Sequence, residues 1–146
     1  MRLSVLLVGL VWCAALGVPT ASGADKIWTG LVLATTEEPA KPVEEDLEPF
    51  VDEIREIFGY NSYYLLRQKK EKILEGTEEW VVPTKKFFLK LRCTERTETA
   101  YRLNIELYAE DRFILTSDVE LARDAPLFIR GPQWGKGRLI FVMEVR

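Results

Sequence analysis

From Tyr101 to Tyr108 the chain alternates strictly. Tyr101, Leu103, Ile105 and Leu107 fall on one face, and Arg102, Asn104 and Glu106 fall on the other. A helix repeats every 3.6 residues and a strand every two, so this segment reads as a half-buried strand. The same period runs through most of the chain beyond Tyr60. Lys86 to Thr94 sets Phe87, Leu89, Leu91 and Cys93 against Lys90, Arg92 and Thr94, with Phe88 sharing the polar face. Arg112 to Leu121 is expected to turn Phe113, Leu115, Val119 and Leu121 inward. Ser62 to Arg67 and Glu79 to Val82 read as further strands, and Leu127-Phe128-Ile129 as a short buried run. Arg138 to Val145 is apolar on both faces in its middle, the mark of a central or doubly covered strand. Between them lie polar turns at Glu95 to Thr99 and Glu110-Asp111, and a glycine-rich turn from Gly131 to Gly137 that carries Trp134.

Upstream the period changes. Lys26 to Ala34 reads as one more strand, and Thr35 to Glu45, with Pro39 and Pro42, as a loop. Leu47, Phe50, Val51, Ile54, Ile57 and Phe58 then fall on one helical face. Asp46 is the expected N-cap, Pro49 is tolerable only in the first turn, and Gly59 supplies the stop. Glu44, Glu45 and Glu48 suit the positive end of the helix dipole. One helix and seven or eight strands joined by short turns give an α+β fold with antiparallel pairing. The expected architecture is one amphipathic helix packed on a mostly antiparallel sheet, as a small sandwich or a partly closed barrel. A chain of 146 residues leaves room for one such domain. It should span residues 24–146, with a strand and a Pro/Glu-rich linker over 24–45 and the core over 46–146.

The first 23 residues read as an address. Met1-Arg2 is a short positive start, Leu3 to Leu16 is apolar apart from Ser4 and Gly9, and small residues follow through Ala24. This is the layout of a secretory signal peptide, with cleavage before Ala24 or before Asp25. The apolar run is shorter than the roughly 20 residues that span a bilayer. Cys13 leaves with the peptide, and Cys93 remains as a single cysteine without an intramolecular partner. No second apolar span follows, so a secreted or periplasmic location is expected, with no transmembrane segment in the mature chain.

The chain contains no histidine. That removes the commonest general base, the commonest nitrogen ligand for metals, and every Ser-His or Cys-His nucleophile. With one mature cysteine, structural zinc is nearly excluded. The acidic runs Glu37-Glu38, Glu44-Glu45-Asp46 and Glu110-Asp111 lack the spacing of a calcium loop and read as solvated surface. Ser62 and Ser117 sit in no nucleophile elbow, and Gly131, Gly135 and Gly137 form no phosphate loop. A net charge of −3 gives no footprint for nucleic acid. No cofactor, metal or catalytic residue is expected. Cys93, on one face with Leu89 and Leu91, reads as a small buried hydrophobe.

The aromatic residues Tyr60, Tyr63, Tyr64, Trp80 and Trp134 are the candidates for recognition, because Tyr and Trp join a large flat face to one polar atom. Tyr63, Tyr64, Trp80 and Trp134 are the binding residues this reading singles out. Strand packing accounts for the same residues on β-propensity alone. Arg67 to Lys72 could face an acidic partner or anionic lipid, or could be an edge strand defended by lysines.

The helix ending F-G-Y-N-S-Y-Y-L-L at Phe58 to Leu66, the alternating strands, and I-R-G-P-Q-W-G-K-G-R-L-I-F-V at Ile129 to Val142 resemble a loosely defined group of secreted bacterial proteins with one helix followed by antiparallel strands. The last of these segments is also similar to the closing hairpin of secretin β-domains. The resemblance implies export and a sheet-rich fold, and carries no activity or site residue. The function expected is an exported, non-catalytic binding or assembly module of the cell envelope, with an envelope protein as partner and strand addition as the natural mode. The alternative is a small carbohydrate-binding or carbohydrate-active protein using exposed Trp and Tyr. A carrier of a hydrophobic ligand would need an internal cavity, which periodicity does not reveal.

Overall fold

The computed structural model describes residues 25–72, 75–76, 78–81 and 84–146, with the backbone alone at 79–81. The leader expected at residues 1–23, Ile73-Leu74 and the Val82-Pro83 end of the third strand lie outside the described residues. The described residues hold eight strands: β1 (Ile27–Thr35), β2 (Ser62–Glu71), β3 (Glu78–Val81), β4 (Phe87–Arg96), β5 (Ala100–Ala109), β6 (Arg112–Ala122), β7 (Leu127–Trp134) and β8 (Gly137–Val145). Between β1 and β2 a 3₁₀ turn at Glu48–Phe50 runs into the helix α1 (Val51–Phe58). The strands form two four-stranded sheets, ordered β2-β1-β8-β7 and β3-β4-β5-β6. Every ladder between these strands is antiparallel, and Glu75 makes an isolated parallel bridge to Cys93. No helix among the described residues is long and apolar enough to cross a membrane.

One buried cluster draws on both sheets. Ile27 and Leu31 of β1 and Leu139, Phe141 and Met143 of β8 pack with Leu89, Leu91 and Cys93 of β4 and Leu103, Ile105 and Leu107 of β5. These are the apolar positions of each alternating strand. The other face of the first sheet is covered by the helical segment. Trp28, Val32, Tyr63, Ile140 and Val142 bury against Leu47, Phe50 and Ile54, and the Trp28 and Phe50 rings stack at 5.5 Å. β1 and β8 are thus central strands covered on both faces, as the unbroken apolar middle of β8 requires. Close packing of the pair depends on Gly137, where a Cβ would collide with the Ala34 carbonyl oxygen.

The helix departs from the sequence reading in two ways. Asp46 makes no N-cap: neither the 3₁₀ turn nor α1 has a side-chain cap. The chain enters through the tighter turn, with Leu47 N–H bonded to Glu44 O at 2.9 Å. The Asp46 carboxylate instead accepts from Gln68 Nε2 at 2.9 Å. Ile57, expected on the buried face, is 55% exposed. Around the axis Ile57 lies about 60° from Ile54 on one side, while half-buried Val51 and Phe58 lie about 40–60° away on the other. Two turns of helix touch the sheet along the Val51–Ile54–Phe58 flank. Gly59 ends the helix as expected, at φ 73° with its N–H on Arg55 O.

The hairpin joining β5 to β6 turns through Glu110-Asp111, both left-handed at φ 49° and 63°, which is the two-residue turn that suits the twist of a hairpin. Beyond it the register slips: Tyr108 pairs with Phe113 but Leu107 pairs with Leu115, so Ile114 is an inserted residue. The bulge reverses the alternation. Phe113, expected inward with Leu115, Val119 and Leu121, therefore lies on the outer face at 55% exposure, and Ile114 is 42% exposed.

Candidate binding face

The outer face of the second sheet is organised in rungs that cross its strands. Phe88, Tyr108 and Phe113 form the first rung. Lys90, Glu106 and Thr116 form the second, with Trp80 opposite Lys90 in the backbone register, and Glu78, Arg92, Asn104 and Asp118 the third. In the first, the Phe88 and Tyr108 rings stack at 4.7 Å, and Phe113 meets Tyr108 edge-on at 5.6 Å. Cross-strand aromatic pairs of this kind stabilise a sheet and leave a flat apolar surface.

The other two rungs form a charge ladder. Lys90 Nζ lies 3.2 Å from Glu78 and 3.1 Å from Glu106. Arg92 reaches Glu78 at 3.2 Å, and the Tyr108 hydroxyl donates to Glu106 Oε2 at 2.7 Å. Hydrogen bonds from Arg92 and Lys90 hold Glu78 below the usual carboxylate range. Tyr108 and Lys90 do the same for Glu106. The reverse effect of Glu106, and then of Glu78, raises Lys90, and Glu106 raises Tyr108. Each group is held more firmly in its neutral-pH state, whereas a general acid or base works best with a pKa near the operating pH. Among the described residues no group of three or more acidic, His or Cys side chains could hold a metal ion.

The four sheet edges differ. β2 carries Arg67, Lys69 and Lys70, with Lys69 paired to Glu71 at 2.9 Å, so the reading of this segment as a lysine-bearing edge fits its place in the sheet. β7 is broken by a register slip between Arg130 and Gln133 and contains Pro132. β3 has four residues. β6 has eleven, without Lys or Pro, and its bulge at Phe113-Ile114 lies at the hairpin end, leaving Leu115 to Ala122 regular. Arg123 N–H bonds Thr99 O, and antiparallel ladders alternate between bonded and non-bonded pairs. That alternation points the backbone N–H and C=O groups of Thr116, Asp118 and Glu120 away from β5, out of the sheet edge. Beside them, exposed Phe113 and Ile114 continue the aromatic rung to the rim.

Of the four sequence candidates, the three whose side chains are described sit in separate places. Tyr63 is fully buried under α1, its hydroxyl accepting from Tyr60 N–H at 3.1 Å and donating to Ile54 O at 3.4 Å. Burial raises its pKa. Tyr64 is half-buried, with its hydroxyl on the Glu37 carboxylate. Trp134 is half-buried against the cluster that draws on both sheets, edge-on to Phe87 at 4.9 Å, with Lys86 Nζ 4.7 Å from its ring centroid. Trp80 pairs in the ladder with Lys90, and its side chain lies outside the described residues. Cys93 is buried, as its face implies, and burial raises its thiol pKa.

Sequence reading missed Phe88, Tyr108, Phe113 and Ile114 as a group. Phe88 on an otherwise polar face was the available signal. Comparison with protein-family models, with curated proteins and with solved structures finds no match.

Proposed function

We propose that this protein is an exported, non-catalytic binding module of the cell envelope that takes an extended segment of a partner protein as an added strand along β6. The two sheets face one another as a small sandwich in this reading, because one buried cluster draws on both. The observation that carries the reading is the eleven-residue β6 edge, its outward backbone groups unprotected by Lys or Pro and flanked by exposed Phe113 and Ile114. The leader-like first segment supports export. The chemistry of the edge describes the partner. Half-buried Leu115 and Val119 call for apolar residues at alternate positions of the added strand. Exposed Asp118 and Glu120 on the outer face call for Lys or Arg between them. The carbohydrate alternative calls for Trp80 or Trp134 exposed beside a groove, and Trp134 is half-buried with Lys86 Nζ 4.7 Å from its ring centroid.

The test is photo-crosslinking in cells from a probe at position 116, with the crosslinked species isolated from envelope fractions. One reproducible partner is expected. Its crosslink should disappear in Ile114→Lys, which puts a charge on the edge, and in Asp118→Pro, which removes an outward donor while sparing the β5 ladder. Crosslinks that persist in both folded variants, or none in the wild type, would overturn the reading.

A further inference from the structure

We infer that the protein carries a second, separate site that binds a single-chain anionic amphiphile of the fatty-acid type. An apolar cavity of about 270 Å³ lies where β4 begins, lined by residues of both sheets. Leu31, Leu66, Phe87, Trp134 and Leu139 line it, with Lys85 and Lys86 at its mouth. A bulge builds one wall. Leu31 pairs with Arg67 and Val32 with Leu65, so Leu66 is the inserted residue of β2. Leu65 then packs on the helix side, while Leu66 turns to the cavity at 43% exposure.

Charge decides the occupant. The whole chain is net acidic, at −3, yet the mouth carries two exposed lysines, and neither has a carboxylate partner among the described residues. Lys86 Nζ is held over the Trp134 ring, at the boundary between the apolar lining and water. An alkyl chain fits the lining, and a carboxylate head meets the two ammonium groups. The volume lies below the roughly 300–1,000 Å³ of common ligand pockets, which favours one chain over a two-chain lipid. No residue of β6 takes part, so this site stands or falls independently of the strand-addition reading.

Dodecanoate is the probe, titrated below its micelle concentration and followed by calorimetry and by methyl and indole NMR signals. Saturable one-to-one binding is expected, with shifts at Leu66, Leu139 and the Trp134 indole. Lys85→Glu/Lys86→Glu should weaken it at least tenfold, and so should Leu66→Lys, which puts a charge in the lining at an exposed position. Thermal melts matching the wild type establish that both variants fold. Equal affinity for dodecyltrimethylammonium would overturn the charge match, and unchanged binding in Leu66→Lys would overturn the location. A concentration-dependent dimer that buries Leu66, without uptake of dodecanoate, would overturn the proposal and assign the cavity to a second copy of the chain.

Discussion

The Tyr101 hydroxyl donates to Oδ2 of Asp25 at 2.9 Å, across 76 positions of sequence. Arg123 pairs with the same oxygen, and Arg96 approaches it at 3.7 Å. Arg123 also donates to Thr97 O through Nε and Nη2, and its guanidinium lies 4.7 Å from the Tyr101 ring centroid. One carboxylate at the start of β1 thus ties the first sheet to the β4–β5 turn and to the end of β6. Removing it leaves the hydroxyl of a buried tyrosine without its acceptor. Asp25→Ala should cost about 1–3 kcal/mol, and Asp25→Asn less, because an amide oxygen can still accept from Tyr101. Urea denaturation of the three proteins measures the difference. Equal stability of wild type and Asp25→Ala would refute the tie.

The charge ladder predicts a plateau in stability against pH. Glu78 and Glu106 have folded pKa values below their unfolded ones. Their contribution is complete above the unfolded value and is lost as pH falls through the folded value. Lys90 and Tyr108 are raised, so theirs is complete below the unfolded value and is lost as pH rises through the folded value. Melting temperature should hold across neutral pH, and fall in acid below the ordinary glutamate range and in alkali above the ordinary tyrosine range. Lys90→Met should flatten the acid limb, and added salt should do so partially, since the ladder faces solvent.

Cys93 supplies a kinetic test of the core. Its side chain is buried among Leu89, Leu91 and Leu103, and burial raises its pKa. Thiolate is the reactive form. The native protein should react with a disulfide reagent only through opening of the second sheet, so that the rate rises with urea in step with unfolding. Fast stoichiometric labelling of the native protein would show the thiol to be accessible.

These residues also show what the sequence made legible. Cys93, Leu103 and Ile105 announce their burial because an alternating strand with one wet face puts every second residue inside. The central place of β8 follows from the same logic. The pattern failed where one residue was inserted. Nothing in R-F-I-L-T marks Ile114 as a bulge, and that single slip carried Phe113 to the opposite face. It failed again for Tyr63. Aromatic residues serve recognition and packing equally well, and only α1 lying over the sheet decides between them. The candidate binding face is a product of register, which joins Phe88, Tyr108 and Phe113 from three strands, and register is not local. Lys85 and Lys86 stand next to each other in sequence, but Leu66, which lines the same cavity, comes from a bulge in another sheet.

The helix gives the sharpest contrast between pattern and packing. Ile54 and Ile57 both fit the apolar stripe, yet Ile54 is fully buried and Ile57 is 55% exposed. Ile54→Ala should cost about 2–5 kcal/mol, as a lost core side chain and a cavity beside Tyr63 and Val142. Ile57→Lys should change stability by no more than about 0.5 kcal/mol, the range for surface substitutions away from special features. Its charge would also leave the Arg55–Asp52 pair on the helix surface undisturbed, since that pair lies at 3.6 Å in largely exposed positions. Chemical denaturation of the two variants decides the matter. Comparable losses would mean that α1 packs through the full stripe read from the sequence, and that the Val51–Ile54–Phe58 flank is not its contact surface.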